Sequence, residues 1–175
     1  MPGSAAPLYV FGPKLIKRQT SQAGGGWPGR AQTLAFSFEA TVALTPQNGK
    51  RLSIVVSGLT GVVAGSGGNG SAAVAITGAQ AASFTSCAVL APGCGGSEGV
   101  WDQDAHTLTL HLKAEIGAFA PTAVSFSFNN ALQGQDPPAL FVAVTSSFEV
   151  FEVAPALLGP SAGTCLHSFA PSHPT

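Results

Sequence analysis

Charge is what this chain has least of. Asp, Glu, Lys and Arg make up 9% of its 175 residues, against about 25% in an ordinary soluble domain. The net charge is −1. A phosphate-binding face needs clustered cations, and the largest basic cluster is only Lys14, Lys17 and Arg18, so no nucleic-acid partner is expected. No apolar run approaches the roughly 20 residues of a membrane helix, so no membrane span is expected either. Met1-Pro2-Gly3-Ser4 carries no hydrophobic signal core. If the protein is secreted, the chain is expected to be a mature or partial form that lacks its leader.

Motifs of catalysis are missing as well. No Gly-x-Ser-x-Gly or other nucleophile signature occurs. Gly65-Ser66-Gly67-Gly68-Asn69-Gly70 is glycine-rich, but no Lys-Ser or Lys-Thr follows it and no helical pattern opens behind it, so it is not a phosphate cradle. His106 and His111 would point to opposite faces of a continuous strand, as would Glu149 and Glu152. Asp102-x-Asp104 could hold a calcium ion with backbone carbonyls, but its ordinary role is to cap a turn through local hydrogen bonds. We expect no enzyme activity and no cofactor or metal.

What the chain does have is period-two alternation. Leu34, Phe36, Phe38, Ala40, Val42 and Leu44 alternate with Ala35, Ser37, Glu39, Thr41 and Ala43, which describes a strand with one apolar face. Thr45-Pro46-Gln47-Asn48-Gly49-Lys50 then carries the Asn-Gly signal of a tight reversal. Leu52, Ile54 and Val56 resume the alternation, so a hairpin is expected over 34–57. Similar patterns recur at 73–77, 82–86, 107–113 and 123–128, and a long last strand is expected over 140–151, running through Phe148, Val150 and Phe151. About seven short strands with turn signals between them predict an all-β, immunoglobulin-like antiparallel sandwich, with a jelly roll as the alternative.

The termini look different from the middle. Residues 1–32 read as an extended arm with a Gly-rich linker around Gly24-Gly25-Gly26. The apolar positions Leu8, Tyr9, Val10, Phe11, Leu15 and Ile16 could cover a sheet edge of the same domain or add a strand to a neighbour. The sandwich is expected over 33–154, and 155–175 as a Pro- and Ser-containing tail.

Three cysteines, Cys87, Cys94 and Cys165, complete the candidates. Cys87 and Cys94 flank a Pro92-Gly93 turn that can bring them together as a disulfide; the alternative is two buried thiols. Structural zinc wants four ligands, and no paired Cys or His motif supplies them. Cys165 would then be left over, free or paired with another chain. Asn69-Gly70-Ser71 is an N-glycosylation acceptor in a surface loop. Trp101, Trp27 or Tyr9 could stack on a sugar ring, although Trp101 beside a turn is more simply a core residue.

Ser57-Gly58-Leu59-Thr60-Gly61, Gly99-Val100-Trp101-Asp102, Thr107-Leu108-Thr109-Leu110 and Val124-Ser125-Phe126-Ser127-Phe128-Asn129-Asn130 together resemble the immunoglobulin-like repeats of large extracellular proteins of algae and other protists. The likeness covers roughly Leu34 to Ser147. It implies a cell-surface, matrix or flagellar-hair component, usually glycosylated, and implies no catalytic residues. The expectation that follows is a structural subunit of an extracellular glycosylated fibre, filament or coat. Its partners would be copies of itself and covalent glycans. The alternatives are a carbohydrate-binding or adhesin module and a viral jelly-roll coat protein.

Overall fold

Alternating apolar positions do become inward faces in the structure, a computed structural model that describes residues 14–24, 28–46, 52–63, 70–88, 94–130, 132, 139–146, 153–157 and 159–160. Its strands are β1 (Leu15–Ala23), β2 (Ala31–Ala40), β3 (Leu52–Ser57), β4 (Val62–Val63), β5 (Ser71–Thr77), β6 (Phe84–Thr85), β7 (Glu98–Asp102), β8 (Thr107–Leu112), β9 (Thr122–Asn130), β10 (Phe141–Ser146), β11 (Val153–Leu157) and β12 (Gly159–Pro160). The helical turn among the described residues is the 3-10 turn Ala81–Ser83. The fold is an all-β antiparallel sandwich.

One sheet runs β12-β1-β2-β9, and the other runs β11-β10-β3-β8-β7. β5 belongs to both: Ser71–Ala75 pair with β7, while Ile76 and Thr77 pair with β9. On the opposite side, β11 lines β10 and β12 lies parallel to β1, so successive segments join the two sheet edges. The interior lies between the sheets. Leu34, Phe36 and Phe38 of β2 and Val124, Phe126 and Phe128 of β9 meet Ile54 and Val56 of β3, Leu108 and Leu110 of β8, and Val142 and Val144 of β10 in one buried cluster. Phe126 and Phe128 sit two apart on one face, with ring centroids 5.8 Å apart.

Several expectations are corrected. No hairpin forms over 34–57. β2 pairs with β1 and β9, while β3 pairs with β8 and β10, so the two strands face each other across the core. The chain leaves the ladder after Ala40, and Leu44 rejoins through an isolated bridge to Ile116. Within the arm drawn over 1–32, Leu15–Ala23 is a strand paired with β2 from Leu15↔Ala40 to Ala23↔Thr33, and residues 1–13 and 25–27 lie outside the described residues. Of the strand expected over 140–151, β10 forms Phe141–Ser146, and Phe148, Val150 and Phe151 lie outside the described residues; β11, beyond that span, runs antiparallel to β10 with Phe141 opposite Leu157. The tail drawn from residue 155 therefore begins inside the sandwich.

Candidate functional site

The β7–β8 turn holds the densest set of polar contacts that the sequence singles out. Gly99 faces inward, where a Cβ would come within 2.6 Å of Leu110 Cδ2 and 2.8 Å of Leu108 Cδ1. Its bare backbone leaves room for those leucines. Trp101, two residues on along the same buried face, is 1% exposed. The indole Nε1–H donates to Gln103 Oε1 at 3.0 Å, and Gln103 Nε2 donates to the Val62 carbonyl at 3.2 Å. The buried Trp is thus satisfied, as its N–H requires. Trp101 offers no face to a sugar, and the glycan-stacking role considered for it is withdrawn. Asp102 Oδ1 accepts from the N–H groups of Asp104 (3.0 Å) and Ala105 (2.8 Å), which is the turn-capping role expected of it. His106 closes the turn with φ 52°, and its buried Nδ1 lacks a hydrogen-bond partner.

Cys87 and Cys94 are joined as a disulfide, with their Cα atoms 5.8 Å apart. The feet of the closed loop are held by Ser86 Oγ–H donating to Glu98 Oε2 at 2.8 Å and by Lys113 Nζ donating to the Gly96 carbonyl at 2.8 Å. Of the proposed assembly arm, Leu15 is buried in the domain's own core and Ile16 is half-buried opposite Glu39. Leu15 is therefore not free to reach a neighbour. Leu8, Tyr9, Val10, Phe11, Trp27, Asn69 and Cys165 lie outside the described residues.

Two long-range pairs escaped the sequence reading. Lys17 stands at a register shift in β1 with φ 48° and its Nζ lies 2.8 Å from Glu39 Oε1. Ser53 Oγ and His111 Nδ1 are 2.8 Å apart on neighbouring strands. A hydroxyl against an imidazole can make a nucleophile and its base, but Ser53 is 7% exposed, so a substrate carbonyl cannot reach the hydroxyl. Among the described residues no group of three or more His, Cys, Asp or Glu side chains could hold a metal ion. No sequence signal marked either pair, because each depends on strand register.

The motifs that carry the resemblance resolve into structural parts. Gly58 takes φ +84°, and a Cβ there would meet the Ala139 carbonyl oxygen at 2.1 Å; Leu59 is buried, and Gly61 also has positive φ. Outside, β2, β9 and the end of β5 carry small neutral side chains, while β1 carries the exposed Lys17 and Gln19. Thr33 and Ser127 face each other at 3.4 Å and Thr77 and Ser125 at 2.8 Å between hydroxyl oxygens, and Ala35 lies opposite Ser125.

No protein-family model matches the chain, and no curated protein matches it. Among the described residues no helix is long and apolar enough to cross a membrane. A crystal structure of a Corynebacterium diphtheriae protein described as membrane-anchored is similar over 85% of this chain at 14% identity and a TM-score of 0.39, and the chain spans 33% of that protein's length.

Proposed function

We propose that this chain is a structural module of an extracellular or cell-surface assembly, a building block of a glycosylated fibre or coat whose task is mechanical. The observation that carries the reading is the disulfide between Cys87 and Cys94. Such bonds persist in oxidising compartments and are rare in the cytosol. The low charged share of 9% supports it, since a charge-poor surface has little electrostatic protection against self-association. So does the likeness of the Gly58, Gly99, Trp101 and Phe126 motifs to extracellular repeats, with Asn69 as the sugar acceptor. A sugar-binding module is the weaker reading, because Trp101 is buried.

Two measurements on protein from its natural source test the proposal together. Intact-mass and peptide spectrometry should find the Cys87–Cys94 bond and sugar on Asn69. Electron microscopy and sedimentation should find concentration-dependent assemblies. Unglycosylated, fully reduced protein that stays monomeric at high concentration overturns the proposal.

A further inference from the structure

Phe119 is 60% exposed and has φ 58°. A left-handed conformation is uncommon for any residue with a side chain and an outlier for a bulky one. The loop nevertheless holds it firmly: the Phe119 N–H donates to the Ala40 carbonyl at 2.7 Å, Ala120 N–H to Gly117 at 3.2 Å, and the Leu44↔Ile116 bridge pins the segment before it. Glycine would meet the backbone requirement without strain. The large aromatic ring standing in water is therefore unexplained by the fold.

The other two large apolar side chains exposed among the described residues are Leu132 at 85% and Phe141 at 37%. Both stand at the opposite end of the sandwich. Phe119 binds the Ala40 end of β2, whereas Leu132 lies beyond the Ala31↔Asn129 pair at the other end of that strand, close to Gly29. Phe141 pairs with Ser57, beside the turn where Val62 pairs with Asn130. β2 separates the two ends by about 30 Å at 3.3 Å per residue. Among the described residues the exposed charges are Lys14, Lys17 and Glu115 at the Phe119 end, with Lys17 paired to Glu39, and Arg30 and Asp104 at the other. Opposed ends can therefore match a cation with an acid on each side. Five strands about 4.8 Å apart in sheets about 10 Å apart, plus side chains, give an end face on the order of 500 Å². Two such faces bury about 1,000 Å², the lower bound of a specific interface.

We infer that Phe119 is the anchor of a head-to-tail contact with a second copy of this chain, and that Leu132 and Phe141 are its receiving surface. The contact rests on the assembly reading above and names the surfaces that would perform it. Different surfaces meeting head-to-tail generate an open chain or a ring, whereas a self-complementary patch stops at a dimer.

The test is sedimentation across a concentration series with four samples: wild type, Phe119→Gly, the double variant Leu132→Ser/Phe141→Thr, and an equimolar mixture of the two variants. Wild type should grow through successive oligomers. Each variant alone should be monomeric at concentrations at least tenfold above the wild-type onset. The mixture should form dimers and nothing larger, since each partner keeps one intact end. Thermal unfolding shows that the variants are folded. Phe119→Gly should melt no lower than wild type, and Phe119→Ala, which loses the ring but keeps a Cβ, should repeat its association defect. Three results overturn the inference while leaving the assembly reading standing: Phe119→Gly assembling like wild type, dimers of the double variant alone, and a mixture that stays monomeric. Loss of binding to an insoluble polysaccharide in Phe119→Gly, with assembly intact, would make sugar the occupant and also overturn it. Wild type that never associates sinks both.

Discussion

Replacing Trp101 by Ala separates the structural role of this residue from the sugar-binding role its type suggests. Its side chain is 1% exposed, on the same buried face of β7 as Gly99, and Trp101 lies opposite Leu108 in the ladder. Burying an indole removes on the order of 200 Å² from water, worth about 5 kcal/mol at 25 cal/mol per Å². Truncations of buried Trp to Ala cost about 3–5 kcal/mol once partial collapse of the cavity is included. Two hydrogen bonds are disturbed as well. Gln103 Oε1 loses the indole N–H, and the Gln103 bond to the Val62 carbonyl, which ties this turn to β4, loses its support. We therefore expect about 4 kcal/mol of destabilisation, lowering Tm by roughly 8–16 °C for a domain of this size. Trp101→Phe keeps most of the apolar volume and drops only the N–H, so about 1–2 kcal/mol is expected for it. Urea unfolding monitored by far-ultraviolet circular dichroism reads both, with the disulfide left oxidised so that the transition stays two-state. A Trp101→Ala protein that loses less than about 1 kcal/mol would refute the packing argument, because a cavity of that size cannot be so cheap in a close-packed core.

Other substitutions probe the remaining supports. Cys87→Ser/Cys94→Ser opens a loop with sequence separation 7, and the chain-entropy relation gives a loss of about 2.5 kcal/mol, readable as a lower urea midpoint with unchanged slope. Gly99→Ala should cost about 1–3 kcal/mol, since its Cβ would overlap the Leu110 and Leu108 methyls and overpacking forces neighbours to shift; a neutral result would show that the two leucines repack freely. His106→Gly suits the φ of 52° and removes the buried unpartnered Nδ1, so it should stabilise by about 0.5–1 kcal/mol in thermal unfolding. Glu39→Gln breaks an ion pair whose lysine is 70% exposed, and the expected loss is below about 1 kcal/mol, fading further in high salt.

Much of the sandwich is legible from alternation, and the limits of that legibility have a physical origin. A period of two states which face of a strand is buried. It is silent on which strand lies beside it in the ladder. Leu34–Ala40 and Leu52–Val56 both read as strands and are so, yet they lie in different sheets. The same burial pattern satisfies a hairpin and a face-to-face pair, and only the competition for neighbours decides. Here β9 offers β2 an eight-residue ladder from Ala31↔Asn129 to Phe38↔Thr122, and β8 and β10 flank β3 on its two sides. β1 was obscured for a different reason. Lys17-Arg18-Gln19 is polar, and the register shift between Ile16 and Gln19 breaks the alternation, so a buried Leu15 and a buried Thr20 fall out of phase.

The exposed positions show the opposite asymmetry. Sequence reading weighs residue types, so it turned to Trp101, Cys87, Cys94 and Asp102 because those side chains have distinctive chemistry. The structure draws all four into the fabric of the fold: a core indole, a loop staple and a turn cap. Phe119 drew no notice, because a single Phe between Ala118 and Ala120 looks like another core residue. What sets it apart is conformation, a positive φ and a ring in solvent, and neither is encoded in local composition. The Gly117-Ala118 turn before it was the one available hint, since a tight turn ahead of Pro121 leaves little room for a bulky side chain to fold back toward the interior. A function built on surface contact would then be found where shape and residue type disagree. In this sandwich they disagree most at the Ala40 end of β2, where the backbone suits a glycine and the chain supplies an aromatic ring.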